Sequence, residues 1–273
     1  MFTGIFPHAG SSVQMLIHSE NSPFSAVGRV YGEVGAQRLR DARVCVVGIG
    51  GVGSWIVEAL ARTGIGSITL IDHDDIALTN INRQIHADAT TLEHSKVEVM
   101  AERVRRIHPD CKCTAIDDML VPNNIQKYIN QQFDYVIDAI DVVTAKAALI
   151  CHCKRNSLPV ITVGGAGGRT DPTMVMISDL NKTWNDPLAA NVRRKLRRDY
   201  GWTRNSARRF GVECVFSSQQ SRYPQPNGET SYQKPGVASV TLDCDSGYGS
   251  LVSVTAVFGF VAASRVMDRL AGI

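Results

Sequence analysis

The run GIGGVGS, residues 48–54, constrains this chain more than any other stretch. It follows RVCVV, a continuously apolar, β-branched segment of the kind that forms a parallel strand covered on both faces. It precedes SWIVEALARTG, in which Ile56, Ala59 and Leu60 share one helical face and Gly64 stands where a helix closes with a left-handed glycine. A strand, a glycine-rich turn and a helix in that order make a phosphate cradle, because bare backbone N–H groups and a helix N-terminus can come close to phosphate oxygens. Gly48, Gly50 and Gly53 meet the dinucleotide-binding spacing, and Gly51 adds a further glycine. Asp72 ends the next apolar strand, SITLID, where a carboxylate accepts hydrogen bonds from ribose hydroxyls. A tight turn whose glycines serve packing alone is the competing reading.

The cradle by itself suits NAD, FAD or ATP, and the residues after Asp72 separate them. The segment DHDDIALTNINRQ places Asp74, Asn80, Arg83 and Gln84 just beyond the second strand, and Lys96 opens the next helix. Cations gathered near a glycine loop neutralise the charge that grows on an α-phosphate under attack. Hydride transfer develops little charge at the phosphates, so the pattern favours ATP. Taken singly, Arg83 and Lys96 also read as solvated surface charges. Asp138 and Asp141, in VIDAID, stand where a fourth strand ends, at the edge where open parallel sheets bind ligands. A carboxylate there can hold the Mg²⁺ that bridges nucleotide phosphates. Asp138 reads equally well as a strand-end or capping carboxylate.

Strands alternating with helices across 273 residues predict one α/β domain with a Rossmann-like, doubly wound, mostly parallel sheet and a C-terminal extension. Residues 1–24 read as an N-terminal extension, without the basic and apolar regions of a signal peptide. Residues 25–168 form the ATP-binding core, opening on a helical lead-in over 25–42. Residues 169–273 read as the substrate-binding portion of the same domain, with a strand in RTDPTMVMISDL, a basic helix in LAANVRRKLRRDYG, a long loop over 203–236 and a closing helix. The closing segment GSLVSVTAVFGFVAASRVM is diluted by Ser, Thr and Gly, which favours a buried helix over a membrane span. A cytoplasmic location is therefore expected, with peripheral or C-terminal membrane association the weaker alternative. The seven cysteines include two pairs separated by one residue, which is not zinc-knuckle spacing, so reduced thiols and no structural zinc are expected.

With these residues assembled, the stretch from about 29 to 168 resembles the E1-like adenylating superfamily. Its pattern of a GxGGxG loop, a ribose Asp, an N-x-x-R-Q segment, a Lys and a late Asp is matched by Gly48 to Gly53, Asp72, Asn80 to Gln84, Lys96 and Asp141. Within it, the chain is most similar to the tRNA threonylcarbamoyladenosine dehydratases. Stretches such as ARTGIGSITLIDHDDIALTNINRQIHA, TVGGAGGRTDPT and LDCDSGYGS carry that likeness from residue 27 to the end. The resemblance implies adenylation of the threonylcarbamoyl carboxylate on adenosine 37 of tRNA, then ring closure with loss of AMP. ATP and Mg²⁺ are the implied cofactors. Activation of the C-terminus of a ubiquitin-like sulfur-carrier protein stays open as the alternative, as does assistance from a cysteine desulfurase or sulfur acceptor.

The resemblance also implies a homodimer in which an arginine of the N-terminal helix reaches the partner's nucleotide, and Arg29 is the residue in that position. The net charge of +3 is too mild to signal nucleic-acid binding, but its distribution is uneven. Arg193, Arg194, Lys195, Arg197 and Arg198 form a dense run, joined by Arg204, Arg208 and Arg209, with Tyr200, Trp202 and Phe210 interleaved. Cations on phosphates and aromatics on splayed bases are how single-stranded RNA is held; a solvated helix face is the bland reading. Cys214, in GVECVFS, stands where relatives carry a thioester cysteine and is a candidate nucleophile, with Cys244 a weaker one. Dehydration itself requires neither, since the substrate supplies its own nucleophile.

Overall fold

The computed structural model describes residues 22–225, 227–233 and 249–273. Helix α1 (Ser25–Asp41) leads into β1 (Arg43–Val47), the glycine run, α2 (Gly53–Arg62) and β2 (Ser67–Asp72). A 3-10 turn, Leu78–Asn80, precedes α3 (Lys96–Ile107) and β3 (Lys112–Asp117). Then come α4 (Ile125–Tyr128), β4 (Tyr135–Asp138), α5 (Val143–Arg155) and β5 (Val160–Val163). The remainder contains β6 (Val175–Asp179), α6 (Pro187–Asp199), β7 (Glu213–Ser217), a short pair β8 (Tyr223–Pro224) and β9 (Thr230–Ser231), and α7 (Val252–Ala271).

Seven strands form one sheet in the order β3-β2-β1-β4-β5-β7-β6. All neighbours are parallel except β6, which runs antiparallel to β7. The chain winds outward from β1 through β2 to β3, then returns to β4 on the other side of β1. That reversal opens a crevice at the carboxyl ends of β1 and β4, the place where doubly wound sheets bind ligands.

Because both faces of the sheet are covered, β1 is apolar from Val44 to Val47 despite its period-two alternation. Val44 and Val46 belong to a core with Ile56 and Leu60 of α2, Met100 of α3 and Phe258 of α7. Cys45 and Val47 face the opposite layer, with Leu149 of α5, Leu196 of α6 and Phe216 of β7. Helix α7 is embedded, with Val254, Phe258, Ala262 and Val266 fully buried. It approaches α2 so closely that a Cβ on Gly259 would lie 2.8 Å from the Cβ of Trp55. Among the described residues no helix is long and apolar enough to cross a membrane.

One expectation fails here. The stretch 203–236 is not a loop throughout: β7 lies inside it and inserts between β5 and β6 as an internal strand. Five residues flanked by polar and glycine segments carry too little periodicity to show, yet four of them are buried. Residues 234–248, which include Cys244, lie outside the described residues, as do residues 1–21 of the expected N-terminal extension.

Candidate active site

The crevice is a cavity of about 550 Å³, a volume suited to a nucleotide. One side is the glycine run. Gly48 adopts φ +88°, and a Cβ there would fall 2.8 Å from the carbonyl of Ala139. A Cβ on Gly53 would lie 1.7 Å from the Gly48 oxygen. Gly50 differs: its Cβ would meet nothing within 4 Å, so it faces open space. The first two glycines are thus required by the fold, while the third leaves backbone bare toward the cavity. Helix α2 begins without a side-chain cap. Among the described residues the N–H groups of Gly50, Gly51, Val52 and Gly53 donate to no acceptor. A helix N-terminus with unclaimed donors is an anion site.

Asp72 sits where β2 ends. One carboxylate oxygen accepts the Ile49 N–H at 2.5 Å and the other accepts the Asp74 N–H at 3.0 Å. These bonds orient the carboxylate and leave lone pairs for two further donors, as a ribose diol would supply.

The polar wall is built by the 3-10 turn. The Asn80 carbonyl accepts the N–H groups of Arg83 at 3.1 Å and Gln84 at 3.0 Å, and the Asn80 side chain accepts the Ala77 N–H. Arg83 is 8% exposed; its guanidinium donates to the Thr79 carbonyl at 2.7 Å, and its stem packs 3.2 Å from where a Gly51 Cβ would stand. The Trp55 indole N–H fixes the Arg83 carbonyl at 2.9 Å. Gln84 is buried, and among the described residues its Oε1 has no partner. Lys96 is buried at the start of α3 and donates to Asp74 at 2.7 Å. Two buried cations stand beside the bare N–H donors, while Asp72, Asp74, Asp75, Asp118 and Asp141 line the rest of the cavity.

Asp141 lies on the turn after β4, exposed to the same cavity, and among the described residues its carboxylate has no hydrogen-bond or ion-pair partner. An unclaimed carboxylate oxygen is the donor a hard divalent cation takes. Asp138 is different. It is fully buried, paired with Lys146 and bonded to the Thr162 hydroxyl, which is the strand-end role rather than a ligand role.

Sequence reasoning missed two walls. Met119, Leu120, Val121 and Pro122 give an apolar surface of the kind that takes a planar base, and Gly164 to Gly167 with Leu188 and Thr255 close the opposite end. The second glycine run had a visible signal in TVGGAGG. Its reason is local: a Cβ on Gly164 would strike the Asp186 carboxylate, which caps α6 and accepts the Gly165 N–H at 3.0 Å.

The ThiF family matches residues 25–273, nearly all of the chain. The chain belongs to the ThiF family. A Haemophilus influenzae protein named tRNA threonylcarbamoyladenosine dehydratase is 51% identical over 261 residues, covering 96% of this chain and 98% of that protein. Crystal structures of E. coli tRNA N6-threonylcarbamoyladenosine dehydratase in complex with AMP and with ATP are 47% and 48% identical. Each has a TM-score of 0.80 and covers 91% of this chain and 93% of its own.

Other expected residues of this ThiF-family chain lie outside the cavity. Cys214 is overturned as a nucleophile: it is fully buried in β7, and burial pushes its thiol far above the ordinary range, so no thiolate is available. The basic segment divides. The Arg193 guanidinium donates to the Thr183 hydroxyl and the Leu180 carbonyl. Arg197 donates to Asn181 at 2.5 Å. Both therefore pin α6 to the segment after β6. Trp202 and Phe210 pack edge to face, with ring centroids 4.8 Å apart, instead of standing free. Arg194, Arg198 and Arg204 are exposed, and Asp199 pairs with both Lys195 at 2.8 Å and Arg198 at 2.6 Å. Arg29 is exposed on α1, whose neighbours Val30 and Val34 are also exposed, and it does not line the cavity of its own chain.

Proposed function

We propose that this chain is an ATP-dependent tRNA threonylcarbamoyladenosine dehydratase. The observation that carries the reading is the convergence of the bare glycine loop, Arg83, Lys96 and Asp141 on one cavity. A carboxylate oxygen of the threonylcarbamoyl group attacks the α-phosphorus of ATP, the bond from that phosphorus to the β-phosphate bridging oxygen breaks, and pyrophosphate leaves. A nucleophile within the same substrate group then attacks the acyl carbon, its proton passes to solvent, and AMP departs. The net result is loss of one water from the modified adenosine. Arg83 and Lys96 stabilise the charge that builds on the α-phosphate, while the N–H groups of α2 hold the phosphates in line. Magnesium would supply charge neutralisation on the triphosphate when bound, and Asp141 is the residue that would hold it. No side-chain nucleophile is needed.

Exposed Arg194, Arg198 and Arg204 are the residues that meet tRNA phosphates. Two chains pair through the face bearing Val30 and Val34, with Arg29 crossing to the partner's triphosphate. Relatives matched over nearly their whole length carry the dehydratase name, which favours this reading over activation of a sulfur-carrier tail.

The decisive test is mass spectrometry of tRNA nucleosides after incubation with the protein, ATP and Mg²⁺. Loss of one water from threonylcarbamoyladenosine is expected. An unchanged nucleoside, with AMP formed only when a small protein ending in Gly-Gly is added, would overturn it.

A further inference from the structure

The turn that carries Asp141 is held by two side chains that do not line the cavity. Lys146 lies in the first turn of α5 with a side chain 1% exposed, and Asp138 closes β4 at 0%. The Lys146 ammonium sits 3.1 Å from Asp138 Oδ2. It donates to the carbonyl of Ile140 at 2.8 Å and to that of Asp138 at 3.3 Å. Asp138 Oδ1 accepts the Ile140 N–H at 3.1 Å, and Oδ2 also accepts the Thr162 hydroxyl at 2.6 Å. The backbone polar groups just before Asp141 are thus satisfied by this pair.

The pair satisfies buried backbone groups, but stability does not require that its members be charged. An ammonium in the first turn of a helix opposes the helix dipole. Exchanging a buried ion pair for packed apolar side chains is often neutral or stabilising. The geometry points to another use. The same turn is the bed of the phosphate loop, since a Cβ on Gly48 would strike Ala139. Its far end presents Asp141 to the cavity.

We propose that the buried Lys146–Asp138 pair is a positioning device that fixes Asp141 relative to the glycine loop, so that a magnesium-bound triphosphate meets both at once. The proposal rests on the ATP reading above. It predicts that the pair matters for the magnesium-dependent part of nucleotide affinity and little for the rest.

The test is calorimetric titration of the full-length protein with ATP, once with Mg²⁺ and once with EDTA. The variants are the near-isosteric double substitution Lys146→Met with Asp138→Leu, and Thr162→Val, which removes one donor to Asp138 and disturbs packing less. In the double variant the affinity gained from Mg²⁺ shrinks by about tenfold or more, as when groups that orient a metal ligand are removed. Affinity in EDTA stays within about twofold of wild type, because the loop donors are untouched. Thr162→Val gives a smaller loss of the same kind and keeps the proposal testable if the double variant does not fold. An undiminished magnesium gain in either folded variant overturns the positioning role. So does equal loss with and without Mg²⁺, which would mean that the loop itself has collapsed. A wild-type protein that binds no ATP under either condition takes the ATP reading down as well.

Discussion

The Lys96 ammonium lies 2.7 Å from the Asp74 carboxylate, and the pair is lopsided: the Lys96 side chain is 7% exposed and that of Asp74 is 50%. Asp74 can turn to solvent when phosphate arrives, whereas Lys96 stays in the cavity wall. Lys96→Ala therefore lowers single-turnover AMP formation by about 100-fold or more, the scale for losing one preorganised charge donor. Asp74→Asn leaves the cation in place and costs clearly less. Equal losses from both would move the phosphate contact from Lys96 to the pair as a unit.

Gly50 and Gly53 make opposite predictions from neighbouring positions. Gly53→Ala places a methyl 1.7 Å from a backbone oxygen and costs stability, by about 1–3 kcal/mol or more as overpacking does. Gly50→Ala meets no protein atom, so the melting temperature holds while ATP affinity falls. A thermal melt beside an ATP titration separates them. A destabilised Gly50→Ala with normal ATP binding contradicts the assignment.

The basic helix gives a second split. Replacing Arg194, Arg198 and Arg204 with Ala weakens tRNA binding and flattens its dependence on salt, because fewer counterions are released. Replacing Arg193 or Arg197 lowers the melting temperature instead, since the first removes the donor to the buried Thr183 hydroxyl oxygen and the second the donor to the Asn181 side-chain oxygen. Filter binding across a salt series, with melts on the same samples, checks both. An unchanged salt slope in the triple variant puts tRNA elsewhere.

His86 sets a limit at acid pH. It is buried 3 residues past Arg83, neither ring nitrogen has a partner among the described residues, and burial pushes its pKa down to about 4, with Lys96 and Arg103 adding repulsion. A histidine whose folded pKa is depressed lends full stability above its unfolded value, and that contribution fades as pH falls toward 4. The loss between pH 7 and 4.5 is about 2–3 kcal/mol from this group. In urea melts at the two pH values, His86→Leu loses less stability than wild type. Parallel losses would show that carboxylates alone govern acid unfolding.

That the glycine loop, Asp72, Arg83, Lys96 and Asp141 share one cavity could be read from the sequence, because each follows or opens a local element and the sheet topology brings those ends together. Residues whose role depends on distant contacts could not. Nothing around Lys146 in the sequence marks it as the partner of Asp138, which ends β4 on the far side of the turn into α5. Gly259 reads as a weak spot in a helix until Trp55 is found against it. Arg193 and Arg197 look like Arg194 and Arg198, and only the register of α6 against Thr183 and Asn181 tells which point inward.

The strand order has a consequence for how the chain comes into being. β6 is synthesised before β7, yet β7 is its neighbour in the sheet and also the neighbour of β5. When residue 179 leaves the ribosome, β6 has nothing to pair with, and the outer edge of β5 is equally bare. Both wait through α6 and the segment beyond it until residues 213–217 emerge and slide between them. For that interval the nascent protein carries two unsatisfied sheet edges, the condition under which chains pair with one another. Slow translation between β6 and β7 lengthens the exposure, so codon speed over 180–212 bears on yield even though Leu188 is the one residue of that range that lines the cavity.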